Sequence, residues 1–582
     1  MKTRHARIAL LTLAAIAAAA CSQTATTATT ATAPQQQDFL RANMDLTANP
    51  GEDFFQYANG GWLMRNPIPA SESHWGIGNV VREELYVNLR AINEKAAASR
   101  WPSGSDQQKI ADFWSAAMDT ARIERAGIHP LDAELARIDR VKSAHDAVDV
   151  AFALRPLQVA AFFGTSVDQD EKKSDEMTIH LSQDGLGLPD RDFYVNADTG
   201  VARIRDEYVA HIGRTLMLLG RDATGARAAA ASVMAFETAL AKASRKLEDL
   251  RDPQANYNRM TPAEVTSKLT PSVNWTERLA AWKLHPANVV VGQPEFFSAV
   301  EGLLQQTPVS VLQDYLRYRL VSSYAANLSR AFVDENFHFY SQVLSGQKEP
   351  RLRWKRVLDA QDGAMGMVLG KIFVQEYFPA AAKKRYVDLV QAIRAAYGER
   401  IDKLDWMSDA TKAKARQKLA TIVPKVGYPD TWKDYSALVV GRQSYATNMM
   451  SAARWRFDDM VSKYGKPVLD RMITPATPLD EAAKCALVSM DSTLKSNLSV
   501  GLPLDLLVYE AHKLQTEQIV CIDEHNPYFQ MIRGNWGLKL REVFESLEDP
   551  QWGNGPTTAP LCVASQRYET MKKITHPDEK VV

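Results

Sequence analysis

The fold is decided by residues 337–435. They run FHFYSQVLSGQKEPRLRWKR over 337–356 and GMVLGKIFVQEYFP over 366–379, and close with LDWMSDATKAKARQKLATIVPKVGYPDTWKDY over 404–435. From Tyr386 onward, Leu389, Val390, Ile393, Tyr397, Ile401 and Leu404 recur at the spacing that gathers one apolar face on an α-helix. Such a face is expected to be buried. Ser408 then offers an N-cap oxygen, Asp409 sits favourably in the first turn, and Ala415, Leu419 and Ile422 form the next stripe. Pro424 ends it, because proline has no N–H to donate and pushes Val423 out of the helical region.

The chain has 582 residues, with 69 Lys and Arg balanced by 69 Asp and Glu, and is 46% hydrophobic. That supports a large body of more than one lobe, and zero net charge argues against nucleic acid as a partner. Residues 1–7 are basic and 8–20 are apolar and alanine-rich, which reads as a secretory signal over 1–20. Ala18-Ala19-Ala20-Cys21-Ser22 resembles the lipobox of bacterial lipoproteins, so Cys21 is the expected lipidation site. That makes the protein exported, on the periplasmic side, as an outer-membrane lipoprotein held to the membrane by its N-terminal lipid alone. Ordinary cleavage near the same point, leaving a soluble periplasmic protein, is the alternative. Residues 21–45 are low-complexity and polar and read as the lipidated Cys followed by a flexible tether.

Several irregular motifs then follow in fixed order. They are R-W-K-R at 353–356, G-x-x-x-G-K at 366–371, Y-F-P at 377–379, W-M-S-D-x-T-K-x-K-A at 406–415, Lys418-Leu419, and G-Y-P-D-x-W at 427–432. Upstream stand DFFQYANGGW from Asp53, GLGLPDRDFY over 185–194, RDPQANYNRMTPAEV over 251–265, VVVGQPEFF over 289–297 and DYLRYRL over 314–320. This order resembles the neprilysin and endothelin-converting-enzyme family of zinc metallopeptidases, over roughly Leu46 to Pro467. The resemblance implies a mainly α, two-lobed architecture, zinc as cofactor, and hydrolysis of short peptides enclosed between the lobes. It also implies a role for His74. In neprilysin-type members the aligned residue is an arginine that grips a peptide's free carboxylate, so His74 is the candidate substrate-binding residue, a surface or packing role being the alternative. Arg251, Asp252 and Tyr257 read as residues that lock the geometry between helices.

The chemistry implied by the resemblance has no counterpart in the motifs. A zinc peptidase of this class needs H-E-x-x-H, two ligands one helical turn apart with a general base between them, and a third protein ligand. None of the eleven histidines is followed by glutamate, and the inverted form fails at Glu524-His525 because Cys521 stands where histidine is required. After Gly465 a scrambled echo of the family's sequence ends near Pro478, and the expected N-A-Y segment does not follow. Glu510, His512, Glu517, Cys521, Asp523, Glu524 and His525 are metal-capable groups whose spacing matches no known ligand pattern. Cys485, Cys521 and Cys562 allow one disulfide of undetermined pairing. No catalytic or metal-binding residue is therefore assigned. The expected layout is a helical region at 46–436, a linker remnant at 437–478 and an unrecognised tail at 479–582, with the zinc-binding lobe truncated or replaced. The expected function is that of an exported metalloendopeptidase homologue without hydrolysis, the alternative being a non-catalytic lipoprotein that binds peptides or a partner.

Overall fold

The computed structural model describes residues 39–174, 176–464, 487, 504–508, 518–523 and 525–532. Its contacts divide into two units, one ending at Asn79 and the other beginning at Val80. The division falls inside the stretch 46–436 that reads as one region in the sequence.

In the first unit, α1 (Phe54–Arg65) is capped by Asp53, whose carboxylate accepts the Gln56 N–H at 2.8 Å. Gly60 and Gly61 are buried because the segment before the helix crosses them. A Cβ on Gly61 would lie 2.7 Å from the Met44 carbonyl oxygen, so only glycine admits that backbone. Arg65 closes the same contact by donating to the Ala42 carbonyl and to Asn43 Oδ1, both at 2.7 Å.

The chain then forms α2 (Ile77–Ala97), α3 (Asp106–Met118) and α4 (Ala144–Leu154) before β1 (Phe163–Gln169) and β2 (Met177–Gln183). Two long helices follow, α5 (Thr199–Leu218) and α6 (Ala223–Ala243). Asp198 and Asp222 cap them, each carboxylate accepting two first-turn N–H groups. β3 (Asn258–Met260), α7 (Pro262–Lys268), β4 (Val289–Val291), α8 (Pro294–Gln306) and α9 (Val309–Tyr324) complete this part. The strands form a sheet in the order β1-β2-β4-β3. β2 pairs antiparallel with β1 and parallel with β4, His180 opposite Val290. All three β4 valines are buried, as expected where both faces of a strand are covered. The core around the sheet holds Phe152, Phe163, Trp275 and Phe297, their rings 4.9–6.1 Å apart.

A second core joins α2 and α3 to α10 (Arg353–Tyr377). The motifs quoted above do this work. Arg353 donates to the Ala117 carbonyl at 2.6 Å, Lys355 reaches Glu83 Oε2 at 2.5 Å, Trp354 meets Tyr86 edge-on at 6.1 Å, and Lys371 bonds Asp106 Oδ2 at 2.9 Å. α11 (Ala380–Asp402) and α12 (Asp409–Thr421) follow. Ser408 caps α12, accepting the Thr411 N–H at 3.3 Å. α12 stops three residues before Pro424, with Ile422 already extended. G-Y-P-D-x-W then turns the chain back. Gly427 adopts φ +71°, Lys383 at the start of α11 bonds the Tyr428 carbonyl at 2.9 Å and Asp430 at 2.7 Å, and Tyr428 stacks on Trp432.

One expectation fails. The apolar face of α11 is not buried: no residue of α11 or α12 is, and Tyr386, Leu389, Ile393, Tyr397 and Ile422 are all about half exposed. Along α11 only Ala382, Lys383, Val387, Val390, Arg394, Gly398 and Ile401 are partly covered, and there Gly398 meets Leu419 of α12. The periodicity is real, but among the described residues no element covers that face. Beyond position 436, α13 (Tyr445–Val461) is an integral helix that gives Ala446 and Met450 to the first core and Tyr445 and Ala452 to the second. In the tail, Leu504–Val508 and Gln518–Ile522 pair antiparallel.

Candidate functional site

His74 lies in the first unit, three residues before α2, on the non-helical stretch that follows Pro67 and Pro69. It is exposed, and Ser73 Oγ lies 3.3 Å from its Nδ1. That exposure fits a surface role as well as a ligand-binding one and does not decide between them. Cys21 lies outside the described residues.

The most elaborate polar arrangement is in the second unit and was not legible from any motif. Glu237, on α6, is fully buried. Its Oε2 accepts the hydroxyls of Tyr194 (2.7 Å) and Tyr208 (2.8 Å) and the Gly187 N–H (3.3 Å), while Oε1 has no partner. The Tyr194 hydroxyl oxygen in turn accepts the N–H groups of Gly187 and Leu188 at 3.0 and 2.9 Å. Arg319 donates to the carbonyls of Leu186 (2.7 Å) and Ala160 (2.8 Å), and Tyr315 donates to the Gly185 carbonyl at 2.7 Å. Burial pushes the Glu237 carboxyl up, and Arg319 and the tyrosine donors oppose that rise. Burial next to Glu237 keeps both tyrosines protonated. Gly185, Leu186, Gly187 and Leu188 are thus held from inside, while Pro189 is exposed. The charged partners of this stretch are positioning groups, Glu237 fully buried and Arg319 half-buried. The missed signal was local: Val233, Phe236, Glu237, Leu240 and Ala241 share the buried face of α6, and a carboxylate in that series needs buried donors.

Asp252 and Tyr257 hold local structure, whereas Arg251 is exposed. Asp252 accepts the N–H groups of Gln254 and Ala255, and Tyr257 donates to Asp170 at 3.0 Å. Among the described residues no three His, Cys, Asp or Glu side chains converge as a metal would require. His211 and Glu335 pair at 2.8 Å, but Arg214 bonds the same carboxylate at 2.8 Å and approaches His338 Nδ1 at 3.2 Å. A guanidinium already occupies the place of a cation there. In the tail, the His525 N–H donates to Asp523 in a local turn, while Glu510, His512, Glu517 and Glu524 lie outside the described residues, as do Cys485 and Cys562.

Residues 50–429 match the family model described as Peptidase family M13. The chain belongs to that family. Endothelin-converting enzyme-like 1 of Rattus norvegicus is 30% identical over 465 residues, covering 74% of this chain and 58% of the relative. The zinc metalloprotease Zmp1 of Mycobacterium tuberculosis, solved in complex with an inhibitor, is 32% identical with a TM-score of 0.67, over 72% of this chain and 64% of that one. The M13 assignment and the helical architecture therefore agree. The chain spans rather more than half the length of the curated relatives it matches. Separately, 16% of the chain is 54% identical to 39% of Anbu, an ancestral β-subunit from Yersinia bercovieri, with a TM-score of 0.15, too partial a likeness to bear on the fold. Zmp1 is a zinc metalloprotease; the donor set in the described residues of this chain does not fit that ion.

Proposed function

We propose that this chain is an exported M13 homologue that contributes the family's helical, peptide-enclosing part and does not hydrolyse peptides by itself. The observation that carries the reading is that M13 membership extends over residues 50–429 while no histidine in the 582 residues is followed by glutamate. Without the paired histidines and the base between them, neither a metal-bound nucleophile nor its activating carboxylate is supplied. The test is zinc content of the purified chain by elemental analysis, with cleavage of a mixed short-peptide library with and without chelator. Substoichiometric zinc and no chelator-sensitive cleavage are expected. One zinc per chain with chelator-sensitive turnover would overturn the reading and direct attention to residues 510–525.

A second reading, peptide binding without turnover, is favoured by the exposed ring of His74 in a segment matched to the family. Short peptides with a free C-terminal carboxylate should then bind more tightly than their amidated forms by fluorescence polarisation. His74→Ala should erase that difference and His74→Arg, with its forked donor, should widen it. Equal binding of both peptide forms to the unaltered chain would remove His74 from the site. Attachment through an acylated Cys21 belongs to the same proposal, and intact mass of the mature protein reads it directly.

A further inference from the structure

Phe337–Val343 form a π-helix between the helix Arg330–Asn336 and the turn that leads to α10. The Leu344 N–H donates to the Phe339 carbonyl, five residues back, at 3.0 Å. So wide a turn is rare and is frequently found at functional sites, and side chains have to hold it. α5 does so through His211, which is 2% exposed. Its Nδ1 lies 2.8 Å from Glu335 Oε1, just before the π-helix, and its ring stacks on Phe339 within it, 5.0 Å between centroids. Tyr340 is the second tie: its hydroxyl lies 3.1 Å from that of Tyr318 and donates to the Gly187 carbonyl at 3.2 Å. Beyond the π-helix, Gly346 turns at φ +72° and the chain enters the second core through Val357 and Leu358 of α10. Phe339 belongs to the first core, so the π-helix is a joint between the two.

Two imidazoles meet at this joint, each in contacts that suit its neutral form. A guanidinium only donates, so the 3.2 Å contact from Arg214 Nη2 to His338 Nδ1 requires a bare nitrogen there. Protonation of that atom sets one N–H against another. In the neutral His211 ring, Nδ1 donates to the Glu335 carboxylate and Nε2 carries the lone pair; Nε2 is buried with no hydrogen-bond partner among the described residues. The ring is surrounded by Tyr208 of α5, Tyr318 of α9, and Phe339 and Tyr340 of the π-helix. A second proton therefore creates a buried N–H without an acceptor. Nor is there spare negative charge. Glu335 already accepts from Arg214 Nε at 2.8 Å, Glu207 lies 3.9 Å from Arg214 and is partly exposed, and Glu237 is engaged by Tyr208 and Tyr194 and balanced by Arg319.

We propose that His211 and His338 form an acid-sensitive latch on the π-helix, whose protonation releases residues 337–352 and so loosens the joint between the two cores. Charging both rings puts three cations around one sheltered carboxylate, and withdrawal of the π-helix from α5 relieves this by letting water reach the imidazoles. Burial holds His211 below its usual value of 6.5, so its half of the latch is closed above pH 6.5 and opens as pH falls through the folded value. The proposal is independent of the proposed function.

The test is hydrogen–deuterium exchange of the full chain, read by mass spectrometry at pH 7.5 and 5.0 and corrected for the intrinsic effect of pH on exchange. Peptides from 335–352 should lose protection roughly tenfold or more at pH 5.0, while peptides from α4 and α8 keep theirs. His211→Phe keeps the stack on Phe339 and cannot titrate. His338→Asn places an amide oxygen where the Arg214 donor points and cannot titrate either. Each variant should reduce the loss roughly threefold or more. His338 is half-buried, so His338→Asn decides the matter if His211→Phe does not fold. Equal protection of 335–352 at both pH values in the unaltered chain would overturn the proposal. So would an equal loss in α4 and α8, which is global unfolding, or a loss that no folded variant reduces.

Discussion

Gly187→Ala should be among the most damaging single-methyl changes in this protein. A Cβ at that position would lie 1.8 Å from the Tyr208 hydroxyl oxygen, 2.8 Å from its Cζ and 3.3 Å from Arg319 Nη1. Tyr208 has nowhere to go: it is fully buried, with the rings of Tyr318 and Phe339 5.9 and 5.2 Å away. Restoring ordinary contact requires a shift of roughly 1.5 Å in a close-packed interior, an overpacking cost of about 1–3 kcal/mol. The same shift breaks the Tyr208 bond to Glu237, and a hydrogen bond to a charged group contributes about 1.5–3 kcal/mol. The total is about 2.5–6 kcal/mol. Gly302→Ala in α8 is the matched control, because its nearest contact would be Gln306 at 4.0 Å and alanine in a helix interior gains about 0.5–1 kcal/mol. Urea unfolding followed by tryptophan fluorescence reads both. A Gly187→Ala loss below about 1 kcal/mol, or a shift of the same sign and size as the control, would refute the view that the G-L-G-L stretch is clamped from inside.

Two further predictions concern pH. Thr261 and Glu264 form a capping box at the start of α7, and bonds from Lys268 and Thr261 hold the Glu264 carboxyl down at about 2, against 4.5 for the free group. A depressed folded value means that this stabilisation is present above pH 4.5 and is lost as pH falls towards 2. Glu264→Gln should therefore be destabilising at pH 6 and indistinguishable from wild type at pH 2, and Thr261→Ala should cost about 1 kcal/mol at pH 6; thermal melts at both pH values check this. Burial holds His211 below its usual value of 6.5, with the Glu335 bond acting against that effect. His211 thus favours the fold fully above pH 6.5 and loses that contribution as pH drops through its folded value. His211→Phe keeps the stack on Phe339, now 5.0 Å between centroids, but gives up the Glu335 bond. It should cost about 1.5–3 kcal/mol at pH 8 and less at pH 5.5, by urea titration.

Helix limits near the family motifs were legible because they depend on short-range chemistry. Ser408 and Pro424 needed only their neighbours to mark where α12 begins and ends. The burial of α11 was not, because periodicity reports a face but not its partner; Leu389 and Ile393 would read the same opposite a lobe, a bilayer or water. Glu237 was overlooked for the reverse reason. Its donors sit 29, 43 and 50 residues away, on Tyr208, Tyr194 and Gly187, and only the fold brings them together. His74 was located by resemblance, and the structure adds its exposure. The sheet was hidden in a chain read as helical, since β3 and β4 are three residues each and their partners are distant.

That distance sets a timetable. β1 and β2 form a hairpin with only a short turn between them, but the parallel partner of His180 is Val290, 110 residues later. At roughly 5–20 residues per second, a ribosome takes about 5 to 20 seconds to deliver β4 after β2. Throughout that interval the β2 edge of the hairpin has no strand partner. A chain arrested before Val289 therefore presents an unpaired strand, and synthesis past that point is what closes it.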